Sequence, residues 1–430
     1  MKQIPFSLKI AALAVTSLIT QSNAAAHNGE DHSSHSDRPA NATHRIIPKP
    51  SNCQLLTADR VFDGSNLLSN SAVLIKKDKI AKVGTQASLK KSCSKKINLG
   101  NATILPGFIE SHAHVSYQNV DHDTILRHGV TTVRDVGGPL YPPMGGNGEL
   151  RLLSSGPILQ AENGYPLNVF GGDSGYDKVG YVVKSVDEAE AAVTHLADGG
   201  AAVIKISLEP GGENGAPWMM QHGENPIPAT PWPMLSEDIV KAIVAKAESL
   251  NKTVSAHIGE NIGAKLALDA GVHEWTHTPC AAIDNDLIQR AVAEKIKVIS
   301  TIDTLGSCGG GLYGNAMGLA EKMADGTLIY GAEIAHDNVP WGIDGEELHL
   351  LLHLTSGGKI TFDKVVNVIK SATSTAGKDL GIEGLGTLSE GAPADVIAVR
   401  GNSFDRFKLL EYPDLVISGG RIIVNNKNFQ

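Results

Sequence analysis

The chain has 430 residues, of which 42% are hydrophobic and 19% are charged, and its formal net charge is −9. This composition is typical of a globular chain with room for two domains, and it excludes an intrinsically disordered protein. The acidic balance does not favour a nucleic-acid partner, because proteins that bind nucleic acids present clustered basic residues.

The first residues resemble a secretory signal. Residues 1–26 combine two lysines with an apolar run over 10–19 and small residues at 22–26. The run is too short to span a membrane, and no later segment is long enough. We therefore expect export, to a periplasm or to the outside, without a membrane span. Residues 27–50 are polar and contain four histidines, which we interpret as a linker, with weak metal binding as the alternative.

Short strands are predicted at both ends of the chain, over 53–104 and 395–424, with turn residues between them. We expect residues 51–105 and 381–430 to build one small β-domain, with the middle of the chain inserted into it. Cys53 and Cys93 both lie in this domain. In an oxidising compartment they could pair, and two free buried thiols are the equal alternative.

Residues 106–380 alternate apolar strands with helical stretches. The predicted strands cover 108–114, 131–135, 157–160, 203–207, 253–257, 274–277, 298–302 and 328–333. Eight strand–helix units in roughly 270 residues match a (β/α)8 barrel, also called a TIM barrel. An open doubly wound sheet is the alternative, but no Gly-x-Gly-x-x-Gly motif follows the first strand.

Four histidines stand where these strands end. His112 and His114 are two residues apart in a strand, so they point to the same face and offer half of a divalent metal site. His257 and His277 end the fifth and sixth predicted strands. Barrel enzymes place their chemistry at these ends of the strands. Each histidine taken alone is more often a packed or solvated residue.

Three further residues in or near the strands are candidates. Lys205 lies inside an apolar strand, where a charged amine is costly unless it is paired or neutral. Snorkelling of this lysine to the barrel rim is the alternative. The eighth strand ends at Glu333, and Asp337 follows four residues later. Either carboxylate could serve as a ligand or as a general base.

Three motifs resemble the amidohydrolase superfamily. PGFIESHAH at 106–114 resembles the signature of its first strand, GVTTVRD at 129–135 its second strand, and GAPADV at 391–396 the turn that returns the chain to a β-sandwich. The resemblance covers nearly everything after residue 50. It is closest to the prolidase-like and imidazolonepropionase-like branch, and it implies an α/β fold: a (β/α)8 barrel with a β-sandwich made by both chain ends.

The resemblance also implies two divalent metal ions, usually zinc. His112 and His114 would bind one metal, and His257 and His277 would bind the other. Lys205 would bridge them as a carbamate formed with carbon dioxide, which replaces a buried cation by an anion held between two metals. A hydroxide bridging the metals would attack the carbonyl carbon of the substrate, since metal coordination makes water acidic.

The eighth strand departs from the family pattern. Members of the superfamily usually have Gly-Thr-Asp there, whereas this chain has Gly331-Ala332-Glu333. We expect Glu333 to act as the metal-binding and proton-transferring carboxylate, and Asp337 is the alternative. The departure leaves open a changed rate, a changed metal count or a lost activity.

Substrate-binding candidates come from loops. The segment over 208–235 is long and rich in Gly and Pro, and it carries Trp218, His222 and Trp232; Tyr165 follows the third strand. Long barrel loops often act as lids, and tryptophans suit aromatic or apolar substrate groups. Packing of the loop on itself or on another subunit is the alternative.

The sequence therefore predicts an exported metal-dependent amidohydrolase that cleaves an amide bond, in a dipeptide or an N-acyl amino acid. The first alternative is lactone, ester or cyclic-imide hydrolysis, or deamination, on the same scaffold. Deaminases of the superfamily generally use one metal and no bridging lysine, so Lys205 argues against that reaction. The second alternative is a non-catalytic binding protein with a degenerate site. Assembly into a homo-oligomer is left open.

Overall fold

The structure is a computed structural model that describes residues 47–221, 226–336 and 339–426. The predicted signal over 1–26, most of the linker over 27–50, His222 and Asp337 lie outside the described residues. No helix among the described residues is long and apolar enough to cross a membrane.

Strands are spread along the whole described chain. In chain order they are β1 (Gln54–Phe62), β2 (Leu67–Lys76), β3 (Lys79–Thr85), β4 (Lys96–Asn98), β5 (Ala102–Pro106), β6 (Phe108–Ala113), β7 (Val130–Asp135), β8 (Arg151–Ser154), β9 (Ile158–Gln160), β10 (Gly180–Val182), β11 (Ile204–Ser207), β12 (Val254–His257), β13 (Glu274–Trp275), β14 (Lys297–Ile299), β15 (Leu328–Ile329), β16 (Val396–Arg400), β17 (Leu415–Ser418) and β18 (Arg421–Asn425).

Helices fall mostly between the strands of the middle part. They are α1 (Gln86–Leu89), α2 (His122–Arg127), α3 (Leu167–Phe170), α4 (Val186–Asp198), α5 (Glu237–Ser249), α6 (Asn261–Asp269), α7 (Asn285–Ala293), α8 (Gly310–Gly318), α9 (Glu321–Asp325), α10 (Gly345–Thr355), α11 (Phe362–Ser371) and α12 (Ser374–Asp379), with 3-10 turns at Pro217–Met219, Gly306–Cys308 and Phe407–Glu411. Helix α4 illustrates their origin. Ser185 caps it by accepting a bond from Glu188 N, and its buried residues have helical spacing: Ala189, Ala192, Val193 and Leu196.

Both chain ends enter one eight-stranded sheet, in the order β18-β17-β16-β5-β1-β2-β3, with β4 paired to β1. Strand β5 runs antiparallel to β16, which joins the two ends. Side chains alternate between two cores, because successive residues of a strand point to opposite faces. Val396 and Ala398 pack in the core within this sheet, whereas Ile397 and Val399 join the core of the middle part.

The middle of the chain forms two parallel sheets, β6-β7-β8 and β10-β9-β11-β12-β13-β14-β15. Backbone contacts connect them: for example, Ala113 of β6 forms a parallel bridge with Ile334, and Ala202 N donates to Ser154 O at 2.7 Å. Gly107 lets β6 approach β7 closely, since a Cβ there would lie 2.2 Å from Thr131 Oγ1. The protein is thus a mixed α/β fold with parallel sheets.

The four cysteines form two disulfides, Cys53–Cys93 and Cys280–Cys308. The sequence left open whether Cys53 and Cys93 pair or stay free thiols, and the structure shows them paired. The second was not predicted, since its cysteines lie in separate loops after β13 and β14. Two disulfides are typical of a protein that matures outside the reducing cytosol.

Candidate metal centre

The side chains of two histidines at the end of β6, His112 and His114, approach each other. His112 is buried, and His114 follows the strand with 17% of its side chain exposed. Their Nε2 atoms are 3.2 Å apart. Nδ1 of His112 lies 2.9 Å from the carbonyl oxygen of Thr276. Because a carbonyl only accepts, Nδ1 carries the proton and Nε2 keeps a free lone pair, which is the arrangement of a metal-binding imidazole.

Glu333 brings a carboxylate to these histidines. Its Oε1 lies 3.5 Å from His114 Nε2 and 3.8 Å from His112 Nε2. One ligand atom from each of the three residues lies within 4.8 Å of the other two. The φ of Glu333 is +59°, which is uncommon for a residue with a side chain. Such conformations persist where the surrounding structure enforces them, often at functional sites.

His257 and His277 complete the histidine set. His257 ends β12, and His277 follows β13 by two residues. Their ring centroids are 4.8 Å apart, and the ring of His277 lies 4.4 Å from that of His112. His277 Nδ1 is also 3.7 Å from Glu333 Oε2. The structure therefore brings all four predicted histidines and Glu333 together.

Protonation at this site favours cation binding. Burial lowers the pKa of His112 and His257 well below the usual value, and it lowers the pKa of His277 to about 3. These imidazoles are neutral at neutral pH, the form that binds metals. Burial alone would raise the pKa of Glu333, but its histidine neighbours, led by His336, hold it well below the usual range.

Lys205 lies in β11 with 1% of its surface exposed. Burial lowers its pKa to about 7, although the negative charge of Glu333 opposes this. Arg134 also lowers the pKa of Lys205, and it forms a buried two-bond pair with Glu274, with distances of 2.6 and 3.1 Å. Sequence patterns did not single out this pair, although Arg134 stands within the second motif. A substantial fraction of Lys205 is a neutral amine at neutral pH.

Two further residues at the site were missed from the sequence. His336 places Nε2 3.1 Å from Glu333 Oε1. Glu209 lies two residues beyond β11, with Oε2 3.7 Å from His257 Nε2, and burial raises its pKa to about 8. Both stand in loops close after strands that carry predicted ligands. Closeness to those strand ends is the only signal in the sequence that could have found them.

The predicted substrate-binding aromatics gather over His257. Ring centroids of Tyr165 and Trp218 lie 4.6 and 4.4 Å from that of His257. Trp232 stacks on Tyr165 at 6.2 Å with nearly parallel planes. All three aromatic residues are buried, and we call them the aromatic cap. His222, from the same loop, lies outside the described residues.

A loop fastened by a disulfide supports the segment that carries the cap. Ser307 donates from Oγ to the carbonyl oxygen of Gly215 at 2.6 Å, two residues before the 3-10 turn that holds Trp218. The next residue, Cys308, is bonded to Cys280. The cap segment is therefore hydrogen-bonded to a crosslinked loop.

The residues present fit a metal. Three buried potential ligand atoms have no hydrogen-bond partner among the described residues: Glu333 Oε2, His257 Nε2 and Glu209 Oε2. Buried polar atoms normally have partners, and a divalent cation would satisfy carboxylates and neutral imidazoles together. Nitrogen and oxygen ligands of this kind suit zinc. His112, His114 and Glu333 form a group that could hold a metal ion.

Comparison with curated proteins finds relatives that are all named ochratoxinase. No family model matches the chain. It is 27% identical over 297 residues to the ochratoxinase of Aspergillus niger, a match that covers 64% of this chain and 57% of that relative. The chain thus spans little more than half the length of the curated relatives it matches.

Solved structures cover more of the chain. The crystal structure of A. niger ochratoxinase matches with a TM-score of 0.67 and 20% identity, over 87% of this chain and 96% of that one. A Xaa-Pro dipeptidase with bound methionine gives 0.65 and 21%, over 86% and 99%. A prolidase complexed with N-methylphosphonate-L-proline gives 0.67 and 19%, over 87% and 100%.

These neighbours share the mixed α/β fold with parallel sheets that the structure shows for this chain.

Proposed function

We propose that this chain is an exported, metal-dependent hydrolase that cleaves an amide bond in a dipeptide or an N-acyl amino acid. The observation that carries the proposal is the convergence of His112, His114 and Glu333, whose ligand atoms lie within 4.8 Å of one another at strand ends of a prolidase-like fold. Export, to a periplasm or beyond, is supported by the two disulfides and by the residue pattern over 1–26.

We propose a two-part architecture for this enzyme. Residues 106–380 would form the (β/α)8 barrel, supported by the contacts of β6 with the segment after β15 and of β8 with the segment before β11. Residues 51–105 and 381–430 would form the β-sandwich, supported by the sheet that both chain ends share. The site then lies at the carboxyl ends of the barrel strands, where barrel enzymes place their chemistry.

Two groups of residues would hold the metals. His112, His114 and Glu333 would bind one ion, and His257 and His277 the other, with Lys205 between them as a carbamate. In the carbamate a bond forms between Lys205 Nζ and the carbon of carbon dioxide, and the amine loses a proton. The lowered pKa of Lys205, about 7, supports this step because only the neutral amine reacts.

Bound divalent metals would supply an acidified water and polarise the scissile carbonyl. Glu333 would accept the proton of the attacking water and pass it to the leaving amine. His336, 3.1 Å from Glu333 Oε1, would hold that carboxylate in position. Asp337 remains the alternative carboxylate.

The aromatic cap supports a substrate with an apolar or aromatic group. Tyr165, Trp218 and Trp232 bury large ring surfaces beside His257, so a side chain of the substrate would meet ring faces there. The names of the relatives suggest candidates to test: ochratoxin and Xaa-Pro dipeptides.

The test is metal content per chain, measured by mass spectrometry on protein purified without chelators, together with hydrolysis of a panel of Xaa-Pro dipeptides, N-acyl amino acids and ochratoxin. About two metals per chain and release of free amino acid are expected. One metal per chain with release of ammonia would replace the proposal by deamination. No metal after reconstitution and no hydrolysis would leave a binding protein.

A further inference from the structure

Glu209 and His257 face each other across a short gap within the site. Glu209 is 1% exposed, and His257 is 2% exposed. Oε2 of Glu209 lies 3.7 Å from Nε2 of His257, too far for a hydrogen bond. Neither atom has a hydrogen-bond partner in the part of the chain that the structure describes. A buried carboxylate oxygen and a buried imidazole nitrogen thus face each other unsatisfied.

The separation matches two ligands of one metal ion. With bond lengths of about 2.1 Å and a tetrahedral angle, an oxygen and a nitrogen ligand lie roughly 3.4 Å apart. A cation between these atoms would be bound by both, so neither buried atom would be left without a partner.

The local backbone holds Glu209 in this orientation. Gly211 N donates to Glu209 Oε1, which leaves Oε2 for the gap. Gly211 has a φ of +83°, and a Cβ there would lie 2.4 Å from the ring of Trp232. The turn that fixes the carboxylate therefore requires glycine, and it also packs under the aromatic cap.

We propose that Glu209 is a further ligand of the divalent metal that His257 and His277 would hold. The inference rests on the proposed function, since it adds a carboxylate to that metal site. A carboxylate gives this ion an anionic ligand that does not depend on carbon dioxide.

Glu213 offers a matched control. It lies in the same loop and is also 1% exposed. Its carboxyl group packs against Gly259, where a Cβ would lie 1.8 Å from Glu213 Cδ. Burial raises the pKa of Glu213 well above the usual value, so Glu213→Gln replaces a neutral buried carboxyl group in the same loop and leaves Glu209 and His257 in place.

The experiment measures zinc binding to full-length wild type, Glu209→Gln and Glu213→Gln by competition with a chromophoric chelator, with metal content checked by mass spectrometry. For Glu209→Gln, we expect the affinity for the second zinc ion to fall at least about tenfold, toward one metal per chain. Glu213→Gln should keep two metals with affinities like wild type. A Glu209→Gln protein that binds both ions within about twofold of wild type overturns the inference.

Thermal unfolding of the metal-free proteins separates a ligand from a structural residue. Metal-free Glu209→Gln should be at least as stable as wild type, because it loses a buried carboxylate, and it should gain less stability from zinc. Equal stabilisation by zinc in both proteins contradicts a ligand role. If Glu209→Gln does not fold, Glu209→Asp keeps the charge and shortens its reach, and it should weaken only the second ion; unchanged binding overturns the inference. A wild type that binds no metal refutes the proposed function instead.

Discussion

The half of the site with His112, His114 and Glu333 and the half with His257, His277 and Lys205 lie side by side, but they differ in organisation. In the first half the ligand atoms are already gathered, and His114 is partly exposed. In the second half His257 and His277 are buried beside rings of the aromatic cap. This difference predicts that the first metal binds readily, because its ligand atoms lie within 4.8 Å of one another, and that the second needs a further anionic ligand.

The largest effect should come from His114→Ala. This change removes a proposed metal ligand from the half of the site that contains His112, His114 and Glu333, so activity should fall on the order of a thousandfold. Steady-state hydrolysis and metal content check this, and His349→Ala, in helix α10, serves as control. A His114→Ala protein that keeps more than a tenth of the activity would contradict the assignment of the first half.

Trp218→Ala should have a smaller effect. It should change only substrate binding beside the half of the site that contains His257, His277 and Lys205. Loss of ring contact should lower kcat/KM about 10- to 100-fold for substrates with aromatic groups, while metal content stays unchanged. The comparison is made between an aromatic and a small aliphatic substrate of the same bond type. An equal loss for both substrates would argue against ring contact with the substrate.

Lys205→Met tests the buried half through stability, with metal removed and carbon dioxide excluded. The pKa of Lys205 is about 7 in the folded protein and about 10.5 when unfolded, so between these values the unfolded chain binds the extra proton and the folded state is penalised. Lys205→Met should therefore be more stable than wild type by a few kcal/mol at pH 7. The advantage should disappear above about pH 10.5. Chemical denaturation at both pH values measures it; an advantage independent of pH would refute the shifted pKa.

Much of the middle part could be predicted because its strands are continuous apolar runs. Each of the eight predicted strands corresponds to an observed one, from β6 to β15, with ends that differ by a few residues. Strands β8 and β10 were missed, although they are longer than the predicted strands β13 and β15.

The residues of the site also divide into those that the sequence predicted and those that it missed. Four histidines could be predicted because they stand at the ends of apolar strands: His112, His114, His257 and His277. The structure places their side chains close together. His336 and Glu209 were missed because loop conformation places them, and loop conformation follows no periodic pattern. The Cys280–Cys308 disulfide was missed because pairing between distant loops depends on the fold.

The disulfide between Cys280 and Cys308 makes the structure of the aromatic cap depend on the redox conditions in which the chain folds. Ser307, beside Cys308, holds the segment that carries Trp218, so the cap rests on a covalent bond that forms only where thiols are oxidised. Under reducing conditions the chain would lack that anchor for the segment that carries Trp218.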